Sequence, residues 1–336
     1  MANMLSTDFT HTYAGKELLT EVFYQPQHDG SGQNPFDLYR VMSDVKTKKN
    51  IYVVQKLSKI VQADTGCGFS ASGNNSIQDR IIDPVKLKVN LEECEDAFNE
   101  TIFAEAQKSG VSRADLTGTI IENILLTATA KGIREDLVKM AWFGNAASAD
   151  AFYGNFDSFF EKILSGSSTT TKLDLNSSAT YEAGGVLATD GALAAMRQMY
   201  SGQGSAMRSI PAADKKFYVT STAYDNLQST LEATGADSGL NRIQEGGSLK
   251  FRGSEVVDMS IWDAALDESG NPNSGDIGDN AIVYTTPDNL VVGTDVTDPA
   301  SELKIWFDEK DEKVYIKSKF NYGVQVIFDE LVSVAY

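Results

Sequence analysis

The chain has 336 residues, 42% of them hydrophobic, with 47 acidic against 29 basic side chains and a net charge of −18. That is apolar material for one large domain or two ordinary ones, and it excludes global disorder. The acidic excess excludes nucleic-acid binding by general phosphate neutralisation, no apolar run approaches the ~18 residues of a membrane helix, and two cysteines, Cys67 and Cys94, argue against a disulfide framework or a structural zinc site.

The N-terminus, MANMLSTDFTHTYAGKE, lacks a basic n-region and a long apolar h-region, so no export signal is expected and synthesis in the cytoplasm is. Residues 1–49 do not read as a domain. A short apolar cluster, Leu18, Leu19, Val22, Phe23 and Tyr24, precedes the turn-rich linker QPQHDGSGQNP. An arm of this kind frays alone and needs something to hold it down. Phe23 and Tyr24 are therefore expected at a subunit interface.

One segment reverses the charge trend. Arg40, Lys46, Lys48, Lys49, Lys56 and Lys59 face only Asp44. Three readings stand: a solvated basic loop, a surface that docks on the acidic face of another copy of the chain, or a nucleic-acid patch, which the lack of interleaved aromatics beyond Tyr39 and Tyr52 disfavours. The second reading makes Lys46, Lys48, Lys49, Lys56 and Lys59 interface residues.

Asn50–Val61 reads as a strand rich in β-branched residues. A tip with Gly66, Gly68 and Gly73 follows. Next, Val85, Leu87, Val89 and Leu91 alternate with Lys86, Lys88 and Asn90. Two strands about a tip predict a long hairpin over 50–91, which cannot bury both faces by itself. Glu92–Gly110 is expected to be helical.

The strongest helical signal runs from Ser112 to Gly144. Leu116, Ile120, Ile124 and Ile121, Leu125, Ala128 form one stripe, which resumes at Ile133, Leu137, Met140 and Ala141. Ser112 or Asp115 caps its start. Gly132 interrupts it, predicting one kinked helix or two in line, and Gly144 offers a left-handed stop. About 27 to 30 residues make a spine of roughly 40 Å, longer than a small domain.

FYGNFDSFFEKIL, Phe152–Leu164, predicts a short aromatic helix behind a Gly-Asn turn, and SGSSTTTKLDLNSSAT a polar connector around one weak strand. From Ala188 helices and strands alternate. Thr189–Gly202 is a helix capped by Thr189 or Asp190, Lys215–Thr222 a buried strand, and Ala223–Gly235 a helix. LKFRGSEVVDMS holds strands around Gly253, and NAIVYTTPDNLVVGT two strands about Pro287. The C-terminal stretch predicts three strands, with turns at DEKDE and at Tyr322-Gly323.

Site chemistry is sparse. His11 and His28 both lie in the arm, so no Ser-His-Asp or Cys-His set has a pocket around it. SGQGSAM places Met207 where a dinucleotide loop needs its third glycine, and it follows a helix. The loop Asp267–Asp279 has Asp267, Ser269 and Asn271 at calcium-ligand spacing, but Pro272 occupies the sharp-turn glycine position and no Glu closes the loop. Cys67 has no visible base or helix terminus to activate it. The expectation is no catalytic residue, no metal and no cofactor.

What remains is an order of parts: an arm, the hairpin Asn50–Leu91, the long helix ending in AWFGNAA, YGNFDSFFEKIL, then KKFYVTSTAYDNL, SLKFRGSEVV and YGVQVIFDELVSVAY. This order resembles the major capsid proteins of tailed bacteriophages, the Hong Kong 97-type fold. The resemblance implies an α+β class with an N-terminal arm (1–49), an extended E-loop hairpin (50–91), a P-domain with the spine helix (92–186), an A-domain of mixed sheet with flanking helices (187–296), and C-terminal strands returning to the P-domain (297–336). It also implies a non-enzymatic subunit that assembles with itself into pentamers and hexamers of an icosahedral or prolate shell, made in the host cytoplasm. The shell encloses double-stranded DNA without reading its sequence, involves no membrane, and takes portal and scaffold or decoration proteins as partners. No long scaffolding segment precedes the arm, which suggests a separate scaffold or none. Some members crosslink Lys to Asn, and no Asn and catalytic Glu here match that pattern. The alternatives are an encapsulin-like nanocompartment shell and an extracellular glycan-binding domain.

Overall fold

The computed structural model describes residues 38–54, 61, 63, 77–94, 120–166, 171–176, 181, 187–233, 249–272, 277–296 and 302–336. Residues 1–37 of the arm, with Phe23, Tyr24 and both histidines, the hairpin tip with Cys67, and Lys56 and Lys59 lie outside these residues, as does most of the expected helix Glu92–Gly110.

In chain order the strands are β1 (Arg40–Met42), β2 (Lys49–Val54), β3 (Ile77–Ile82) and β4 (Val85–Cys94). Helices α1 (Ile120–Phe143) and α2 (Phe159–Ser165) follow, then β5 (Thr171–Leu173), α3 (Gly191–Ser201), α4 (Ser205–Arg208), β6 (Lys216–Val219) and α5 (Ser221–Ala233). The chain continues through β7 (Lys250–Phe251), β8 (Ser254–Asp258), α6 (Ser260–Leu266), β9 (Ile282–Thr285), β10 (Leu290–Thr294), β11 (Lys304–Asp308), β12 (Lys313–Val326) and β13 (Ser333–Ala335).

Among the described residues the strands form two sheets and a ribbon. The first sheet has the order β1-β10-β12-β11, with β4 on the other side of β12. The second has the order β5-β13-β9-β6-β8-β7, and β2 with β3 makes the ribbon. The organising strand of the first sheet is β12. Val314, Ile316, Ser318, Phe320, Tyr322, Val324 and Val326 are buried, whereas Lys317 and Lys319 are exposed. That period of two is what a half-buried strand requires. The buried parity faces α1: Leu125 joins Val314 and Ile316, and Ile133 and Leu137 share a core with Phe320, Leu87 and Val89.

The C-terminal end of α1 carries the largest buried side chains. Trp142 lies 4.7 Å from Trp262, 5.1 Å from Phe159, 5.4 Å from Phe160 and 5.8 Å from Tyr218, ring centroid to centroid. These rings come from α1, α2, β6 and α6, so one aromatic cluster binds the helices to the second sheet. Helix α2 starts where Ser158 accepts the Glu161 N–H, a side-chain cap.

Several expectations change. The spine is one helix that runs through Gly132 without a break. It does not stop on a left-handed glycine: Gly144 has no positive φ, and a Cβ there would stand 2.6 Å from the Phe156 carbonyl oxygen. Close packing of the aromatic loop requires the glycine. Strand β4 is not the second arm of the hairpin. It pairs antiparallel with β12 from Val85↔Tyr322 to Cys94↔Lys313, so Glu92–Cys94 is strand, and the hairpin closes between β2 and β3. Asp83-Pro84 separates β3 from β4, where a proline interrupts the ladder. Tyr322-Gly323 is no turn either. Strand β12 continues through it, because a Cβ at Gly323 would lie 2.9 Å from the Asp83 carbonyl oxygen, and the loop before β4 crosses there.

Asp190 precedes α3 at φ 65° without capping it through its side chain; instead Asn226 of α5 accepts the Ala192 N–H at 3.1 Å. The C-terminal strands also divide: β12 lies in the first sheet, and β13 in the second, between β5 and β9. Strand β10, near the end of the 187–296 range, pairs with β1 and β12 in the first sheet.

Candidate assembly surface

The ribbon is fixed at its base and open along its outer face. Ile82 and Val53 are buried with Val45, Val291 and Ile327, and Ile51 packs against them. Arg80 donates to Asp329 at 2.8 Å, a half-buried pair. The Gln325 side chain donates to the Ile81 carbonyl at 3.1 Å. These contacts use one parity of each strand plus the backbone.

Among the described residues the opposite parity has no cover. Tyr52 is 72% exposed, Val54 61%, Ile77 64% and Ile81 46%. The register puts Val54 across from Ile77, with Tyr52 and Ile81 on the same side. Four large apolar side chains on one face of a two-stranded ribbon are an unpartnered surface, the kind that marks a contact with another molecule. A signal for this lay in the sequence: both parities of Ile51-Tyr52-Val53-Val54 are apolar, so both faces seek cover.

The basic segment sits beside this base. Lys46, Lys48 and Lys49 are exposed. Lys46 lies 3.6 Å from Asp44, and Lys48 lies 2.7 Å from Asp83. Both pairs are open to solvent, where such bridges contribute about 0–1 kcal/mol. The loop is held by its backbone: Val45 donates to the Thr294 carbonyl at 2.9 Å, and Asn321 donates to the Lys46 carbonyl at 3.2 Å. The lysine side chains are therefore presented on a fixed loop.

One cluster of ionisable groups serves packing. Lys139 of α1 bridges Glu135 at 2.8 Å and Glu268 at 2.6 Å, and Tyr153 donates to the other Glu268 oxygen at 2.6 Å. Burial opposes the charge on Lys139, yet its carboxylate partners leave its pKa raised. Burial and Glu268 raise the Tyr153 phenol. This cluster ties α1 to the segment after α6. Nearby, a cleft of about 570 Å³ lies between α1 and the β4–β12 pair, with Ile133, Leu137, Phe152 and Phe320 in its lining and Asp136 among them. Burial pushes the Asp136 carboxyl up to about 6, against the pull of Lys139. Among the described residues no three His, Cys, Asp or Glu side chains gather to hold a metal. In the loop after α6, Asn271 donates to the Ala265 carbonyl and Glu268 is taken by Lys139 and Tyr153. No described helix is long and apolar enough to cross a membrane.

No protein-family model matches the sequence, and no curated protein matches it. Solved structures do match, over nearly the whole of both chains. The capsid of Ralstonia phage GP4 superposes with a TM-score of 0.59 at 8% identity, over 97% of this chain and 95% of that one. The capsid of Myoviridae phage XM1 gives 0.56 at 11%, over 95% and 96%. The capsid of an empty GTA particle gives 0.55 at 12%, over 97% and 94%. At such identities the likeness speaks for fold alone: this chain has the α+β fold of phage capsid subunits.

Proposed function

We propose that the chain is a major capsid protein of a tailed bacteriophage: it assembles with itself into pentamers and hexamers that close an icosahedral or prolate shell around double-stranded DNA. The observation that carries this reading is the ribbon β2–β3, anchored at its base and apolar on its open face, within a fold that matches phage capsid chains from end to end. An enzyme needs a cleft with convergent reactive groups; a shell subunit needs surfaces that only neighbours complete. Heterologous contacts of that kind close rings, and permanent interfaces between copies commonly exceed ~2,000 Å².

In this reading residues 1–49 form the arm, the hairpin within 50–91 the E-loop, 92–186 the P-domain around α1, 187–296 the A-domain, and 297–336 the strands that return. Phe23, Tyr24, Lys46, Lys48, Lys49, Lys56 and Lys59 contact neighbouring subunits. Portal and scaffold or decoration proteins join the particle, and no cofactor is needed.

Electron microscopy of the purified chain tests the proposal. Closed shells of virion size are expected, and a protein that stays a small soluble oligomer under all assembly conditions overturns it. Small uniform shells that carry a cargo protein and no DNA support the nanocompartment instead. Reversing Lys46, Lys48 and Lys49 to Glu is expected to impair assembly while the subunit stays folded. Normal shells from that variant remove the basic loop from the interface.

A further inference from the structure

The face of the first sheet turned away from the buried parity of β12 is lined with lysines from three strands: Lys86 and Lys88 on β4, Lys313, Lys317 and Lys319 on β12, and Lys304 on β11. The register sets Lys88 directly across from Lys319, and Lys304 directly across from Lys317. Like charges in directly opposed positions destabilise a sheet. Lys313 reaches Glu92 at 3.3 Å, but among the described residues the other five have no acidic group within ion-pair distance. On a chain of net charge −18, a stripe that concentrates unpaired positive charge against its own sheet stability calls for an acidic ligand.

The same sheet carries the complement at its other end. The turn between β11 and β12 is Asp308-Glu309-Lys310-Asp311-Glu312, and Glu309, Asp311 and Glu312 are exposed. The turn is pre-shaped: Asp308 accepts the Lys310 N–H at 2.9 Å, and Tyr315 donates to Asp311 at 3.1 Å. Beside it Trp306, 43% exposed, stacks on Tyr315 with centroids 5.5 Å apart. Lys317 and Lys319 lie five and seven residues beyond the end of the turn, roughly 16–23 Å at ~3.3 Å per residue. One copy therefore cannot bring its acidic turn onto its own stripe.

We propose that the stripe Lys86, Lys88, Lys317, Lys319 and Lys304 receives the acidic turn 308–312 of a second copy, head to tail, with Trp306 as an apolar contact at the rim. The contact rests on the shell-forming reading and adds to it a specific pair of surfaces. A second copy fits better than nucleic acid because Glu92 and Asp308 share the face and repel phosphate, while every copy supplies the matching turn. Charge complementarity of this type fixes register and speeds encounter.

The test is a charge swap in the full-length chain. Lys88→Glu with Lys319→Glu is expected to abolish particles, and so is Glu309→Lys with Glu312→Lys. All four changes together are expected to restore particles. All six lysines stand on an exposed face, so the unassembled Lys88→Glu/Lys319→Glu subunit is expected to melt no lower than the parent. Normal shells from either double variant, or no recovery in the fourfold variant, overturn the proposal. Normal shells that lose only their DNA also overturn it and assign the stripe to nucleic acid. If the parent chain forms no shells at all, that failure belongs to the shell reading. Sedimentation of the soluble chain then decides the contact: salt-sensitive self-association lost in the double variants supports it, and unchanged association overturns it.

Discussion

Two regions of this chain use aromatic and β-branched side chains in opposite ways. Around Trp142 they close on one another: Trp142, Trp262, Phe159, Phe160 and Tyr218 are fully buried and come from four separate elements. On the ribbon β2–β3, Tyr52, Val54, Ile77 and Ile81 are exposed, although on the other parity Ile82 is fully buried and Val53 nearly so. The hydrophobic effect acts on both regions equally. On the proposed reading the difference lies in where the covering surface comes from, the same chain in one case and another molecule in the other. Folding stability and assembly should therefore separate cleanly under mutation.

The largest effect on the subunit is expected in the cluster. Trp142→Ala removes a ring that contacts four others and should cost about 3–5 kcal/mol, much of a typical domain's stability of ~5–15 kcal/mol. A large drop in the urea midpoint checks it. A small one means that the cluster does not carry the subunit.

A smaller, pH-dependent effect is expected at Asp136, beside the cleft. Its folded pKa, about 6, lies above the ordinary 3.8 because burial disfavours the charge. Well below 3.8 the carboxyl is neutral whether folded or unfolded and contributes nothing. As pH rises from about 4 to about 6 the unfolded chain gives up this proton while the folded carboxyl, at the open mouth of the cleft, still holds it, so stability falls and then levels off. Asp136→Asn should therefore stabilise the subunit at pH 8, by at most about 1 kcal/mol because the side chain also meets solvent, and have little effect near pH 3.5. Thermal melts of both proteins at the two pH values give the answer, and an equal gain at both removes ionisation as the cause.

The smallest effect on stability, and the sharpest contrast, belongs to the ribbon. Tyr52→Ser with Val54→Ser should leave the melting of the unassembled subunit within about 0.5 kcal/mol of the parent, yet prevent shells from forming. A marked loss of subunit stability instead would show that this face is covered from within the chain.

Much of the architecture was legible without coordinates. Helix α1 and the buried strand β6 follow from periods of 3.6 and 2, and the turn at DEKDE from its run of charges, whereas β12 was read as two strands broken at Tyr322-Gly323. The basic loop with Lys46, Lys48 and Lys49 was visible as a charge run, because its residues are adjacent in sequence. The open face of the ribbon was half visible: apolar residues at both parities show that two covers are needed, but not which one the chain itself supplies. The lysine stripe was invisible, because Lys86, Lys88, Lys304, Lys317 and Lys319 meet only through the pairing of β4, β12 and β11.

Taken alone, the order of residues determined which side chains share a face of each element, the acidic balance of the whole, and the sparseness of reactive groups. Only the tertiary structure decided which strands are neighbours: that β4 leaves the hairpin for β12, that β12 passes straight through Gly323, and that β13 crosses to the second sheet. The reason is physical. Alternation along a strand is a local property of the backbone, and it specifies what must be buried. Pairing is a competition among all edges of the right length and parity, decided by whichever partner covers the most apolar surface with every backbone group bonded.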